Sequence, residues 1–254
     1  MRAVHLRAAF RLGLERASAF GKARAACLLV GHNTLARGED LGTQGAVDIG
    51  RDLTIGAFDL TSGAGLTPPA LVIWMCASKD PTQHNRRSPM VVQRRSASGP
   101  LGADPMCTYD AILTAWPILA DTIPKNQWHT TLFFRTPRVS GDPPSAWRSI
   151  TANDVGTFVN QAAIAAGIDP APLGIRSLRM GGATDLYDIH GAAGERYIRE
   201  RGRWSSDIAQ IYQRVSARLH GELSRTIGDS TGVDLQSLLA GWSQAAITHG
   251  RCPV

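Results

Sequence analysis

The sequence predicts an α+β domain, mostly helical, with one small antiparallel sheet or hairpin. Three observations lead there. Apolar residues recur at helical spacing near both ends, as Ala26, Leu29 and Val30 early and Val155, Phe158, Val159 and Ala162 later. Between them, the β-branched and apolar runs ALVIWMCASK and PMVVQRR flank the polar stretch DPTQHNRR, which is a hairpin pattern. No internal repeat or low-complexity segment breaks the series, so a single domain over residues 1–228 is expected, with a weakly patterned tail over 229–254.

The elements follow in order. Residues 1–40 read as two helices broken near 18–21, the second running over 22–35 into LARGEDLG, where Arg37 stands beside two acids. LTIGAFDL opens the β-flavoured region, and the hairpin that follows carries Lys79 where its strand meets the turn. Residues 96–106 (SASGPLGADPM) form a loop, CTYDAILTAWPILADTI a helix, and VSGDPPSAW a linker. Thr151 and Asp154 stand at capping-box spacing before a helix that stops at Gly167. A helix through Asp188, another over 195–200, and a last one capped by Ser205 or Ser206 and carrying Ile208, Ile211, Val215 and Leu219 complete the reading.

Composition narrows the function. Of 254 residues 43% are hydrophobic, enough for a proper core, and no apolar run has membrane-spanning length. The start, MRAVHLRAAFRLGLERASAF, lacks a signal-peptide core and fits an amphipathic helix. Cys27, Cys76, Cys107 and Cys252 are scattered, which argues for a reducing compartment and against a structural zinc site. No HExxH or clustered carboxylate set appears, and the seven histidines lack ligand spacing, so no metal is expected. GAGLT at Gly63 lacks a strand–turn–helix context for a dinucleotide. The net charge is +6, and lysine occurs only at Lys22, Lys79 and Lys125, so the basic character is almost entirely arginine. Arginine's planar fork grips phosphate bidentately, which favours a nucleic-acid partner; the alternative is a high-GC genome that spells basic residues as arginine.

The segment RSLRMGGAT, residues 176–184, puts two arginines three apart and follows them with two glycines. Each glycine costs a helix about 1 kcal/mol relative to alanine, so helix stability is not what they serve. Arg176 and Arg179 would project the same way from a helix start and make an anion-facing edge, with the glycines letting a backbone or DNA approach. Arg37, Lys79, Arg179 and Tyr212 in GRWSSDIAQIYQR then stand in order along the chain. The bland alternatives are a surface ion pair for Arg37 with Glu39 or Asp40, a solvated hairpin lysine, and a packed core tyrosine. The chemistry that needs the whole set is phosphodiester transfer through a tyrosine. The phenol attacks phosphorus and forms a phosphotyrosine bond. Two arginines hold the non-bridging oxygens without a metal ion. A lysine protonates the departing ribose oxygen, and an imidazole or indole N–H steadies the remaining phosphate oxygen.

At these residues the chain resembles the tyrosine recombinase (phage integrase) family. The family's Arg-x-x-Glu-Leu box looks like Arg37-Gly-Glu-Asp40-Leu41, with aspartate for glutamate, and its hairpin lysine matches Lys79. Its His-x-x-Arg box is similar to Arg176-Ser-Leu-Arg179, followed by the GGAT wording of relatives from eukaryotic mobile elements of the DIRS or Crypton kind. Its Gly-His/Trp motif and nucleophile look like Gly202-Arg203-Trp204 and Tyr212, so the likeness spans roughly residues 22–219. The resemblance implies a tyrosine-recombinase-like catalytic domain without its N-terminal clamp domain. It assigns Tyr212 as nucleophile, Arg37 and Arg179 as phosphate clamp, Lys79 as general acid, Trp204 as phosphate donor, and Arg176 and Arg203 as added phosphate contacts. It implies no cofactor, no small-molecule ligand and no membrane, and a homo-oligomer on double-stranded DNA, inside the cell and in the nucleus of a eukaryotic host.

The pattern departs from the family at two positions. Arg176 replaces the histidine of the box, a fixed cation for a proton-handling imidazole. Trp204 lies eight residues before Tyr212, whereas the family's spacing of nine falls on Arg203. His190 is the nearest candidate for a substitute imidazole, while Tyr109, Tyr187 and Tyr197 lack the position after GRW and read as structural. Two competing readings remain open: a DNA-binding module without turnover, and a topoisomerase IB-like swivelase, which the GGAT and GRW wording disfavours.

Overall fold

The computed structural model describes residues 1–12, 18–43, 45–48, 51–76, 87–96, 99–191 and 194–203. In chain order its helices and strands are α1 (Ala3–Leu12), α2 (Ala19–Asn33), α3 (Gly38–Leu41), β1 (Phe58–Gly63), β2 (Ala70–Cys76), β3 (Arg87–Gln93), α4 (Thr108–Leu119), β4 (Arg135–Thr136), β5 (Arg148–Ser149), α5 (Ala152–Ala165), α6 (Ser177–His190) and α7 (Gly194–Gly202). The class is α+β, with seven helices and a small antiparallel sheet among the described residues. None of the described helices is long and apolar enough to cross a membrane. The chain divides into two compact units, Met1–Gly182 and Ala183–Val254.

Small side chains make α2 the centre of the first unit. Ser18 caps it, its Oγ accepting from the Gly21 N–H at 3.0 Å. The sequence predicts one apolar stripe, but Gly21, Ala23 and every residue from Ala25 to His32 are buried. Alanine and glycine allow this, because a helix with so little side-chain volume can be enclosed on all sides. Helices α4 and α5 pack against it, and α1 packs on α5 through a buried set that includes Leu6, Ala9 and Phe10.

The sheet has the order β1-β2-β3, antiparallel throughout. Its β2–β3 ladder runs from Ala70↔Gln93 to Cys76↔Arg87, the hairpin the sequence predicts. Alternation sets the faces: Leu71, Ile73, Met75, Met90 and Val92 are buried, while Trp74 and Val91 face outward. β3 lies beside α4, and Asp110 in the first turn of α4 fixes the intervening loop by accepting from Arg94 Nε at 2.7 Å and the Gly102 N–H at 3.0 Å. Phe58, Trp116, Trp128, Phe133 and Phe134 form an aromatic cluster, with Phe58 and Phe133 ring centroids 4.2 Å apart.

The stretch expected to be a linker is built differently. β4 and β5 pair across it, the Asp142 carboxylate accepts from the Arg138 and Val139 N–H groups, and the Trp147 indole donates to the Asp142 carbonyl at 2.9 Å. Proline and glycine shape a turn here rather than a spacer. Arg135, 3% exposed, donates from Nη1 to the Pro144 carbonyl and from Nη2 to the Leu119 carbonyl and Thr122 Oγ1, and so closes the C-terminal end of α4.

Helix α5 follows its sequence signals closely. Thr151 Oγ1 accepts from the Asp154 N–H, and the Asp154 carboxylate accepts from the Thr151 N–H at 2.6 Å, closing the capping box. The helix buries Val155, Phe158, Val159 and Ala162 and is followed by Gly167 at φ 71. In the second unit α7 carries a Glu195–Arg199 pair at 3.1 Å, and the His190 and Tyr197 rings pack with centroids 5.3 Å apart.

Arg148 also donates to both Asp154 oxygens, at 2.7 and 2.9 Å. Chiefly through this pair, and then through the Thr151 donors, the Asp154 carboxyl is drawn from 3.8 to about 2, against the opposing effect of burial. A depressed carboxylate stabilises the fold above its unfolded value and loses that contribution as pH falls through the folded one. Asp154→Ala is therefore expected to cost about 1–2 kcal/mol at neutral pH. The difference from the parent should shrink as pH falls from 3.8 towards about 2, read from urea midpoints at stepped pH.

Candidate functional site

The site begins where α2 ends. The Leu35 N–H donates to the His32 carbonyl at 3.4 Å and the Ala36 N–H to the Gly31 carbonyl at 3.0 Å, the bond pair of a Schellman turn. The residue such a turn holds left-handed is usually glycine; here it is Leu35, at φ 51. That conformation costs a side chain about 1–2 kcal/mol. Full burial of Leu35, 0% exposed, stabilises it by about 1.5–3 kcal/mol and offsets the cost.

Two residues on, Arg37 forms the N-cap of α3. Its N–H donates to Asp40 Oδ2 at 2.7 Å, and the Asp40 N–H returns to the Arg37 carbonyl at 2.9 Å. Asp40 is 0% exposed, and its carbonyl accepts from the Leu53 N–H at 3.0 Å. The acid of the Arg-x-x-Asp pattern thus shapes the backbone beneath Arg37. The Arg37 Nε is buried without an acceptor among the described residues. Close by, Asp52 accepts from Arg51 Nε at 2.8 Å and from the Asp48 N–H at 2.9 Å. Arg51 is held above its ordinary value first by Asp52, with Asp48 and Glu39 adding.

The second segment of the site is the start of α6. The Met180 N–H donates to the Arg176 carbonyl at 3.0 Å, which puts Arg176 at the N-cap and Arg179 in the first turn. The expectation of one shared anion-facing edge needs correction. Arg176 is exposed, whereas Arg179 is 6% exposed and its Nη1 donates to the Leu35 carbonyl at 2.7 Å. A helix start turns through 100° per residue, and packing against α2 draws one of the two side chains inward.

The glycines serve this approach. A Cβ on Gly182 would stand 2.2 Å from the His32 carbonyl oxygen and 2.5 Å from Leu35 Cδ2, and one on Gly181 would meet the Met1 carbonyl at 1.7 Å. It is backbone, then, that comes close to this edge of α6. On the other side a Cβ on Gly38 would fall 1.8 Å from Ile175 Cγ1. The segments carrying Arg37 and Arg176–Arg179 therefore touch twice, at Leu35–Arg179 and at Gly38–Ile175, and meet at one corner. Leu35 went unnoticed in the sequence because no glycine marks its left-handed position.

The remaining residues of the expected site lie elsewhere. Arg203 belongs to the second unit, half-buried in the turn after α7 at φ 55. Lys79, Trp204 and Tyr212 lie outside the described residues, as do Ser205, Ser206 and the tail over 229–254. His190 is exposed and packs on Tyr197. Tyr109 is buried in α4, and burial raises Tyr187, with Glu195 and Asp188 adding. Among the described residues no group of three or more His, Cys, Asp or Glu could hold a metal ion.

Gly182→Ala is expected to destabilise the fold by about 1–3 kcal/mol, because the obstruction is backbone and overpacking outweighs the gain in helix propensity. Gly156→Ala in α5 has nothing within 4 Å of the added Cβ and should stabilise by up to about 1 kcal/mol. Urea midpoints of the two variants shifting in opposite directions check both statements. No protein-family model, no curated protein and no solved structure matches this chain.

Proposed function

We propose that this chain breaks and rejoins double-stranded DNA through a 3′-phosphotyrosine intermediate, as a recombinase or integrase of a mobile element. The observation that carries the reading is the 2.7 Å bond from Arg179 to the Leu35 carbonyl, between residues 144 positions apart. It brings the segment of the Arg37 box against the segment of the Arg176–Arg179 box. In this reading the arginines of the two boxes serve one phosphodiester, whose non-bridging oxygens gather charge as phosphorus is attacked.

Within this reading the Tyr212 phenol attacks phosphorus and releases the 5′-hydroxyl of the next nucleotide. Lys79 delivers the proton that this leaving oxygen needs, and the Trp204 indole N–H donates to a phosphate oxygen. Arg203 adds a phosphate contact. Rejoining runs the same steps backwards with a hydroxyl from a second strand, which calls for a homo-oligomer holding two duplexes. Neither a metal ion nor a cofactor enters any step. The setting is intracellular, and nuclear in a eukaryotic host.

The burial of Arg179 favours one second reading, a DNA-binding module that keeps the basic corner without turnover. A nicked suicide-substrate library separates the two. The recombinase reading expects a covalent protein–DNA adduct that disappears in Tyr212→Phe, whereas the module expects salt-sensitive binding and no adduct from the parent chain. An adduct that persists in Tyr212→Phe would overturn the nucleophile.

A further inference from the structure

A single peptide group, between Leu35 and Ala36, joins the two arginine segments. Its carbonyl accepts from Arg179 Nη1 at 2.7 Å, and its N–H donates to the Gly31 carbonyl at 3.0 Å. Arg37 is the next residue along the chain. The peptide takes this direction because Leu35 is left-handed, at φ 51. In a right-handed residue the same carbonyl would run on along the axis of α2; the left-handed one turns it aside. The Leu35 side chain is 0% exposed and lies beneath the same helix start, since a Cβ on Gly182 would stand 2.5 Å from Leu35 Cδ2. Backbone and side chain of Leu35 thus both engage α6.

We infer that Leu35 is a positioning residue for the phosphate clamp: its left-handed carbonyl orients the Arg179 guanidinium relative to Arg37. This rests on the reading of the corner as a DNA phosphate site, in which Arg37 and Arg179 both hold the phosphodiester. A guanidinium carries its five N–H donors in one rigid plane, so fixing one at a carbonyl fixes the direction of the others. Arg179 is 6% exposed, so only a small part of it reaches the surface, and the anchor at Leu35 decides which part. Gly182 holds the partner in place, because the first turns of α6 cannot shift towards α2 without meeting the His32 carbonyl.

The test sets backbone against side chain. Valine keeps more of the buried side chain than glycine does, but its β-branch opposes the left-handed conformation that glycine adopts freely. The readout is the rate constant for covalent adduct formation by the full chain, at saturating concentration, on a nicked suicide duplex. Its amplitude reports the folded share separately. Misplacing a clamp group by an ångström costs about a hundredfold in rate, and Leu35→Val is expected to lose that much. Leu35→Gly is expected to slow the reaction about tenfold less than Leu35→Val, because the carbonyl keeps its direction. A role in packing alone predicts the opposite order. A Leu35→Val rate equal to or above that of Leu35→Gly overturns the inference and leaves the functional reading in place. If the parent chain forms no adduct, the functional reading fails and the inference falls with it. Should either variant fail to fold, arginine-labelled parent chain decides the question by NMR, since an anchored guanidinium rotates slowly and gives separate Nη signals. Arg179 is expected to show them in the free chain and to shift them when the duplex is added. Averaged signals, or signals that the duplex leaves in place, overturn the assignment.

Discussion

The hydrogen bond from Arg179 to the Leu35 carbonyl is the constraint on which the candidate site depends. A charge-assisted bond of this kind, buried, contributes about 1.5–3 kcal/mol, comparable with the cost of the left-handed residue that accepts it. The turn at the end of α2 and the first turn of α6 thus stabilise each other. Without the guanidinium the Leu35 carbonyl would be a buried acceptor lacking that donor, and without the turn Arg179 would lose a buried partner for its charge. Arg37 follows this turn by two residues, its backbone N–H held by the Asp40 carboxylate.

Close approach makes the arrangement possible. α2 is enclosed because alanine and glycine fill its sequence, and Gly38 and Gly182 admit Ile175 and the His32 carbonyl where any side chain would collide. The same geometry explains an otherwise costly choice: two glycines inside α6 forfeit helix propensity, and what they permit is contact with backbone. The start of α6 packs against the end of α2 through the absence of side-chain volume at Gly182 and the long cation of Arg179.

Arginine itself serves two purposes here. Arg135 and Arg179 both donate to carbonyls at helix ends, α4 and α2 respectively, and both are almost fully buried. Burial pulls Arg135 down to about 10, which still leaves it charged at neutral pH. Reading an arginine-rich chain as wholly committed to a polyanion overlooks these residues, because composition cannot separate a guanidinium that caps a helix from one that awaits a phosphate. Burial is what sets Arg135 and Arg179 apart from half-buried Arg37 and exposed Arg176.

Local signals decided much of this protein. The capping box at Thr151 and Asp154, the stop at Gly167 and the β2–β3 hairpin were legible because capping, left-handed glycine and alternation are short-range effects written within a few residues. The motif spacing likewise marked Arg37, Arg176 and Arg179 as candidates. The tertiary structure decided what spacing cannot encode: that the segment before Trp147 turns back between paired β4 and β5 instead of spanning as a linker, that α2 is buried all round, and that Arg176 and Arg179 face different surroundings. Each of these depends on which distant backbone arrives next to a residue, and the Leu35 carbonyl that receives Arg179 is 144 positions away in the chain.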